Sequence, residues 1–146
     1  MNTDPATPPP VEKRYAARVG RSGLATLRLR PKHPNTLHIA VGQAVRLTVA
    51  AQDTERLIWI ITTTLDHGGA AGELSNGTGF YLEDRGTRLR WSQRAHAETG
   101  HGLVPTERVY RLSVGSPLRR WIWRSELHAL RAVLTSYLAD RPAPKT

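Results

Sequence analysis

Apolar and polar residues alternate along the first third of the chain. Leu27 and Leu29 alternate with Arg28 and Arg30, and the same period of two continues to residue 49. Its further apolar positions are Leu37, Ile39, Val41, Val45, Leu47 and Val49. This period predicts β-strands with one buried face and one polar or basic face, as in an antiparallel sheet that is covered on one side.

Three further segments shape the predicted sheet. Gly42 and Gln43 separate two strands closely enough for a hairpin. Leu57–Ile61 is an apolar run without a polar face, which is typical of a strand covered on both sides, so we predict the core strand there. Gly68–Gly72 is rich in glycine and predicts a flexible loop.

Two hairpins and a loop are predicted between residues 80 and 123. The hairpins pair Phe80–Glu83 with Thr87–Ser92, and Arg108–Val114 with Leu118–Trp123. Gln93–Thr106 has no period and contains two glycines and a proline, so it predicts a long loop.

One helix is predicted, at residues 125–140. Ser125 is a suitable N-cap, and Glu126 lies in the first turn, where the helix dipole favours an acid. Leucines recur at helical spacing, and Pro142 closes the segment. These leucines are Leu127, Leu130, Leu134 and Leu138.

The predicted fold class is α+β. We expect about eight mainly antiparallel strands in a twisted or partly closed sheet, with the C-terminal helix packed on it, because the sheet offers the only large apolar partner for the leucines. Residues 13–141 form a single domain in this prediction. Residues 1–12 form a flexible, proline-rich arm, and residues 142–146 a flexible tail.

Charge gives the first indication of function. The chain has 146 residues, a net charge of +9 and a pI near 11.0. Residues 13–52 contain eight Lys and Arg and no acid, and residues 108–125 contain five Arg and no acid. A molecule of this charge collects on phosphate or anionic lipid. No apolar run is long enough for a spanning helix and residues 1–10 show no signal-peptide pattern, so we expect a cytoplasmic protein without a membrane partner.

Residues 119–124 form the most specific cluster. Strand alternation places Arg119, Trp121 and Trp123 on one side, and Arg120, Ile122 and Arg124 on the other. Two interpretations are open: both tryptophans belong to the core, or one ring is an exposed platform on which a base stacks.

Further arginines point outward from alternating strands. If these strands are neighbours, the arginines merge into a basic stripe; otherwise they serve solubility. They are Arg28, Arg30, Arg46, Arg88 and Arg90. Together with Arg119, Arg120, Trp121, Trp123 and Arg124 they make up the predicted nucleic-acid-binding residues.

No signature of catalysis or of a cofactor is recognised in the sequence. The chain has no cysteine, which excludes disulfides and cysteine-ligated zinc. His96, Glu98 and His101, with His67 as a fourth group, do not have the spacing of a known metal site. We therefore expect a non-enzymatic protein without a cofactor or metal.

The sequence favours a small protein that binds single-stranded DNA or RNA in transcription or replication, because it combines strands, aromatic rings and arginines. The order of strands and then a Ser125-capped helix, over the last forty residues, is similar to single-strand-binding transcriptional coactivators and purine-rich-element binders. That resemblance implies a possible homodimer and carries no residue roles. The alternatives are a regulator, of phage or mobile-element type, that inhibits or redirects a large acidic host protein such as RNA polymerase or a nuclease, and a shell protein.

Overall fold

Eight strands and three α-helices form two similar halves in the computed structural model, which describes residues 11–115 and 119–141. The first half contains β1 (Lys13–Val19), β2 (Gly23–Arg30), β3 (His33–Val41), β4 (Val45–Ala50) and α1 (Thr54–His67). The second half contains β5 (Gly69–Glu73), β6 (Gly79–Trp91), α2 (Gln93–Thr99), β7 (Leu103–Val114), β8 (Arg119–Trp123) and α3 (Arg124–Asp140).

Each half contributes one open, antiparallel sheet whose strands follow chain order. Sheet A is β1-β2-β3-β4 and sheet B is β5-β6-β7-β8. In sheet A, Leu27, Ile39 and Leu47 lie opposite one another and are buried, as the period of two predicts. The α+β class, the eight antiparallel strands and the C-terminal helix packed on a sheet are confirmed, although the strands divide into two sheets.

The two long helices cover the opposite half's sheet. Helix α3, which follows sheet B, lies on β1 and β2 of sheet A, and helix α1, which follows sheet A, lies on β5 and β6 of sheet B. The helices also contact each other. Gly72 in β5 permits the close approach of α1 to sheet B, because a Cβ at this position would lie only 2.9 Å from Cδ1 of Ile60 in α1. One cluster of buried apolar residues therefore draws on both halves.

The prediction of a core strand at Leu57–Ile61 is wrong, because this segment lies in α1. Leu57, Ile60, Ile61 and Thr64 are buried at helical spacing, while Trp59 is exposed. A five-residue apolar run is too short to reveal which period it follows, and isoleucine and threonine favour strands locally. Packing against sheet B decides the conformation.

Three connections also differ from the predictions. Gly68–Gly72 is largely strand β5 and not a loop, because it pairs with β6. The predicted hairpin within residues 80–92 is one long strand, β6, whose irregular register near Gly86 bends the strand without reversing it. The predicted loop Gln93–Thr106 contains helix α2 and the start of β7, because Ser92 Oγ caps α2 by accepting a hydrogen bond from Ala95 N at 3.2 Å.

Helix α3 matches its prediction except at its first turn. The cap is provided by Glu126, whose Oε1 accepts a hydrogen bond from Trp123 N at 2.8 Å, and Ser125 N donates instead to Glu107. Leu127, Leu130 and Leu134 are buried in the core. Of the two predicted flexible ends, residues 1–10 and 142–146 lie outside the described residues.

Candidate nucleic-acid interface

The outer face of sheet A is a shallow basic groove. One row across the sheet contains Arg14, Arg28, His38 and Thr48, and the next contains Ala16, Thr26, Ala40 and Arg46. The small side chains form a floor, and the arginines rise around it to enclose a volume of about 650 Å³. We call this surface the sheet A groove. Its shape and charge suit a phosphate backbone.

One carboxylate partly neutralises this groove. Glu12 Oε2 lies 3.1 Å from Nη2 of Arg14, and its Oε1 lies 3.2 Å from Nε of Arg28. Arg28 is the one predicted binding arginine that forms an ion pair within residues 11–115 and 119–141. Arg46 instead donates to the carbonyl of Val45 at 2.9 Å.

His38 is placed among these cations. Burial, followed by the charges of Arg30, Arg28 and His33, lowers the pKa of His38 below its ordinary value of 6.5. Its buried Nε2 makes no hydrogen bond within the described part of the chain. Both effects favour the neutral form of the ring, and an anion in the sheet A groove would favour the charged form.

Trp121 lies on the outer face of sheet B and is 52% exposed. It pairs with Arg111 across β7 and β8, and the guanidinium of Arg88 lies 5.6 Å from the centre of its ring. This is cation–π geometry. Trp123 is half-buried, so neither ring belongs to the buried core. The interpretation of both tryptophans as core residues is wrong, because α3 covers sheet A and leaves this face of β8 open.

A second groove connects the two outer faces. It lies between the hairpin turns of sheet A and strand β8, has a volume of about 570 Å³, and its lining includes Arg18, Arg21, Trp121 and Trp123. We call it the inter-sheet groove. Sequence reasoning included Arg18 and Arg21 in an acid-free window and did not single them out, because only the tertiary structure brings their turn to β8.

One carboxylate, that of Glu83, offsets part of the positive charge on the rest of the outer face of sheet B. Glu83 accepts hydrogen bonds from Tyr81, Arg85 and Arg111, with distances of 2.8 to 2.9 Å. These donors, first Tyr81 and then Arg85, lower the pKa of Glu83 to about 2. Arg88 and Arg119, by contrast, form no ion pair within residues 11–115 and 119–141.

The predicted arginines converge only in part. Arg28 and Arg46 share the sheet A groove, and Arg88 joins Trp121. Arg119 lies on the Trp121 face, whereas Arg120 is opposite Leu112 on the other face. The others lie apart: Arg30 at the far end of sheet A, Arg90 on the distal part of β6, and Arg124 at the start of α3.

The distal parts of β6 and β7 extend as an arm, residues 85–106, that ends in helix α2. Gly102 is its only buried residue, and it packs under the ring of Trp91. Trp91 also lies 5.1 Å from the ring of His96, measured between centroids. Leu89, Trp91 and Leu103 are each more than half exposed and lie on one face of the arm. This face forms an uncharged apolar strip.

Comparison with protein-family models, curated proteins and solved structures finds no significant match to this chain. Among the described residues, no group of three or more His, Asp or Glu side chains converges in a way that would hold a metal ion. None of the helices in the described ranges is both long and apolar enough to cross a bilayer.

Proposed function

We propose that this chain is a non-enzymatic protein that binds single-stranded DNA or RNA along the two grooves. The observation that carries the proposal is the exposed ring of Trp121, with Arg88 above it, at the side of a groove lined by Arg18 and Arg21. Aromatic platforms flanked by arginines bind unpaired bases and phosphates together.

Single strands fit better than duplexes. Both long helices are engaged with the sheets and with each other, so neither is available to enter a major groove. The sheet A groove would hold phosphates with Arg14, Arg28 and Arg46. The nucleic-acid strand would then continue past Arg18 and Arg21 and stack a base on Trp121. The proposed role of this binding is in transcription or replication.

A fluorescence titration tests this proposal. A labelled 20-nucleotide oligo-dT and its duplex with oligo-dA are titrated at several salt concentrations, with tryptophan emission recorded in parallel. We expect micromolar or tighter binding of the single strand, weaker binding of the duplex, a steep decrease with salt and quenching of tryptophan. Absence of binding at low salt contradicts the proposal.

Removing the acid from the sheet A groove should strengthen binding. Glu12→Gln releases Arg14 and Arg28 from their ion pairs, so both become available to phosphate. We expect a severalfold higher affinity at low salt and a salt slope that is steeper by roughly 0.7 per additional phosphate contact. The matched control is Glu98→Gln on the arm, which should leave both unchanged.

Binding should also strengthen as pH falls. Phosphate near His38 raises its pKa in the complex above the lowered value in the free protein, so binding takes up a proton. Affinity should therefore rise as pH decreases through the pKa of the complex and level off below that of the free protein. Titrations between pH 8 and pH 5.5 check this, and His38→Asn should remove the contribution of this residue whereas His67→Asn should not.

A second candidate function has one observation in its favour. The apolar strip of the arm (Leu89, Trp91 and Leu103) carries no charge and suits a protein partner, as expected for a regulator that binds a large host protein. The same titration separates the candidates, because a protein that works only through this strip needs no single strand and should show no quenching of Trp121.

A further inference from the structure

We propose that the inter-sheet groove holds one unpaired nucleobase and that the side-chain amide of Gln43 reads its edge, giving a preference for adenine at one position of the bound strand. This inference rests on the proposed function and makes it more specific. Phosphate contacts and stacking alone give no sequence preference. A base-reading group at the stacking platform would add one.

The groove has the size of a small-molecule site and a lining that is both polar and apolar. Its volume of about 570 Å³ falls within the range of roughly 300 to 1,000 Å³ typical of such sites. Leu24, Trp121 and Trp123 give it apolar walls, and Arg18 and Arg21 lie beside them. A base has two apolar faces and a polar edge, so its faces would contact the walls while the arginines hold the flanking phosphates.

The turn that carries Gln43 is held in place. Gly42 has a left-handed φ of +58°, its N–H donates to the carbonyl of Leu24 at 2.8 Å, and a Cβ here would collide with the carboxylate of Glu126. The guanidinium of Arg46 donates to the carbonyl of Val45 on the other side of the turn. These contacts fix the backbone from which the Gln43 side chain extends, and a base in the groove would have to order the amide on binding.

Gln43 supplies the side-chain amide of the groove, and this side chain is exposed. Its amide makes no hydrogen bond within residues 11–115 and 119–141, whereas Glu126 accepts from Trp123 N, and Ser22 Oγ lies within hydrogen-bonding distance of Glu107 and Ser125. The arginines can only donate. An amide offers one donor and one acceptor side by side, which matches N7 and the N6 amino group of adenine; on this edge no other base presents an acceptor next to a donor. A base splayed out of a single strand can present this edge to the amide.

Base substitution in a uniform oligonucleotide tests the inference. The probes are 15-nucleotide oligo-dT strands whose central base is A, C, G or T, and binding is measured by fluorescence anisotropy at one salt concentration. We expect the strand with central adenine to bind at least about fivefold more tightly than the others. Gln43→Ala should make the four strands equal without changing the salt slope, and Gln52→Ala, in the 3-10 turn that follows β4, should keep the preference.

The outcomes separate this inference from the proposed function. Equal affinities for the four strands in the wild type, or a preference that survives Gln43→Ala, overturn the base-reading groove and leave single-strand binding intact. A Gln43-dependent preference for another base overturns the assignment of adenine. Absence of binding to every strand overturns both proposals.

Discussion

Trp121→Ala should weaken single-strand binding by about 1 to 3 kcal/mol, roughly 5- to 150-fold, while the protein stays folded. The ring is 52% exposed on the outer face of sheet B, so its loss removes a stacking surface and leaves no cavity in the core. The affinity is measured by anisotropy with oligo-dT, and the stability by thermal unfolding.

Trp59→Ala is the matched control for this experiment. Trp59 is 58% exposed, on helix α1, which lies on the opposite side of sheet B from Trp121. Its removal should leave affinity unchanged. Equal losses in both variants, or unchanged binding by Trp121→Ala, would show that Trp121 is not a stacking platform. Loss of the Trp121 variant's folded state would show that the ring supports the fold.

The second large effect concerns stability. Ile60→Ala should lower the free energy of unfolding by about 2 to 5 kcal/mol, because Ile60 is fully buried where α1 packs on β5. Since each long helix covers the other half's sheet, both halves should unfold in one transition. Chemical denaturation followed by circular dichroism and by tryptophan fluorescence checks this, with Trp59→Ala as the exposed-site control.

Two separate transitions, or a variant in which only one half loses structure, would contradict this cooperativity. A change below about 0.5 kcal/mol would place Ile60 at a surface position. The fluorescence signal is informative because Trp59 lies in the first half and Trp91, Trp121 and Trp123 lie in the second. Circular dichroism reports both halves together.

The strands of sheet A could be predicted because side-chain alternation is a local property. Leu27, Ile39 and Leu47 face inward whatever lies next to them in space. The face of β8 that carries Trp121 was also assigned correctly by alternation. The sequence does not show which face of β8 is covered, because the cover depends on helix α3 packing on the other sheet. The same long-range packing turns Leu57–Ile61 into helix.

The sequence predicts some of the residues that line the two grooves, but not the grooves themselves. The absence of acidic residues around Arg28 and Arg46 in the sequence indicates a basic surface. Both arginines line the sheet A groove. The contribution of Arg18 and Arg21 depends on a turn of sheet A meeting β8, a contact between residues about a hundred positions apart. Nothing in the local pattern around Gly20 encodes that contact.

The exchange of helices has a consequence for the connection at Gly68. The described residues before Gly68 and those after it share one buried core, so noncovalent packing holds them together in addition to the backbone link. A polypeptide divided at this position should therefore reassemble from its two fragments when they are produced together. Neither fragment alone would retain a covered sheet, so the two fragments are suited to split-protein complementation.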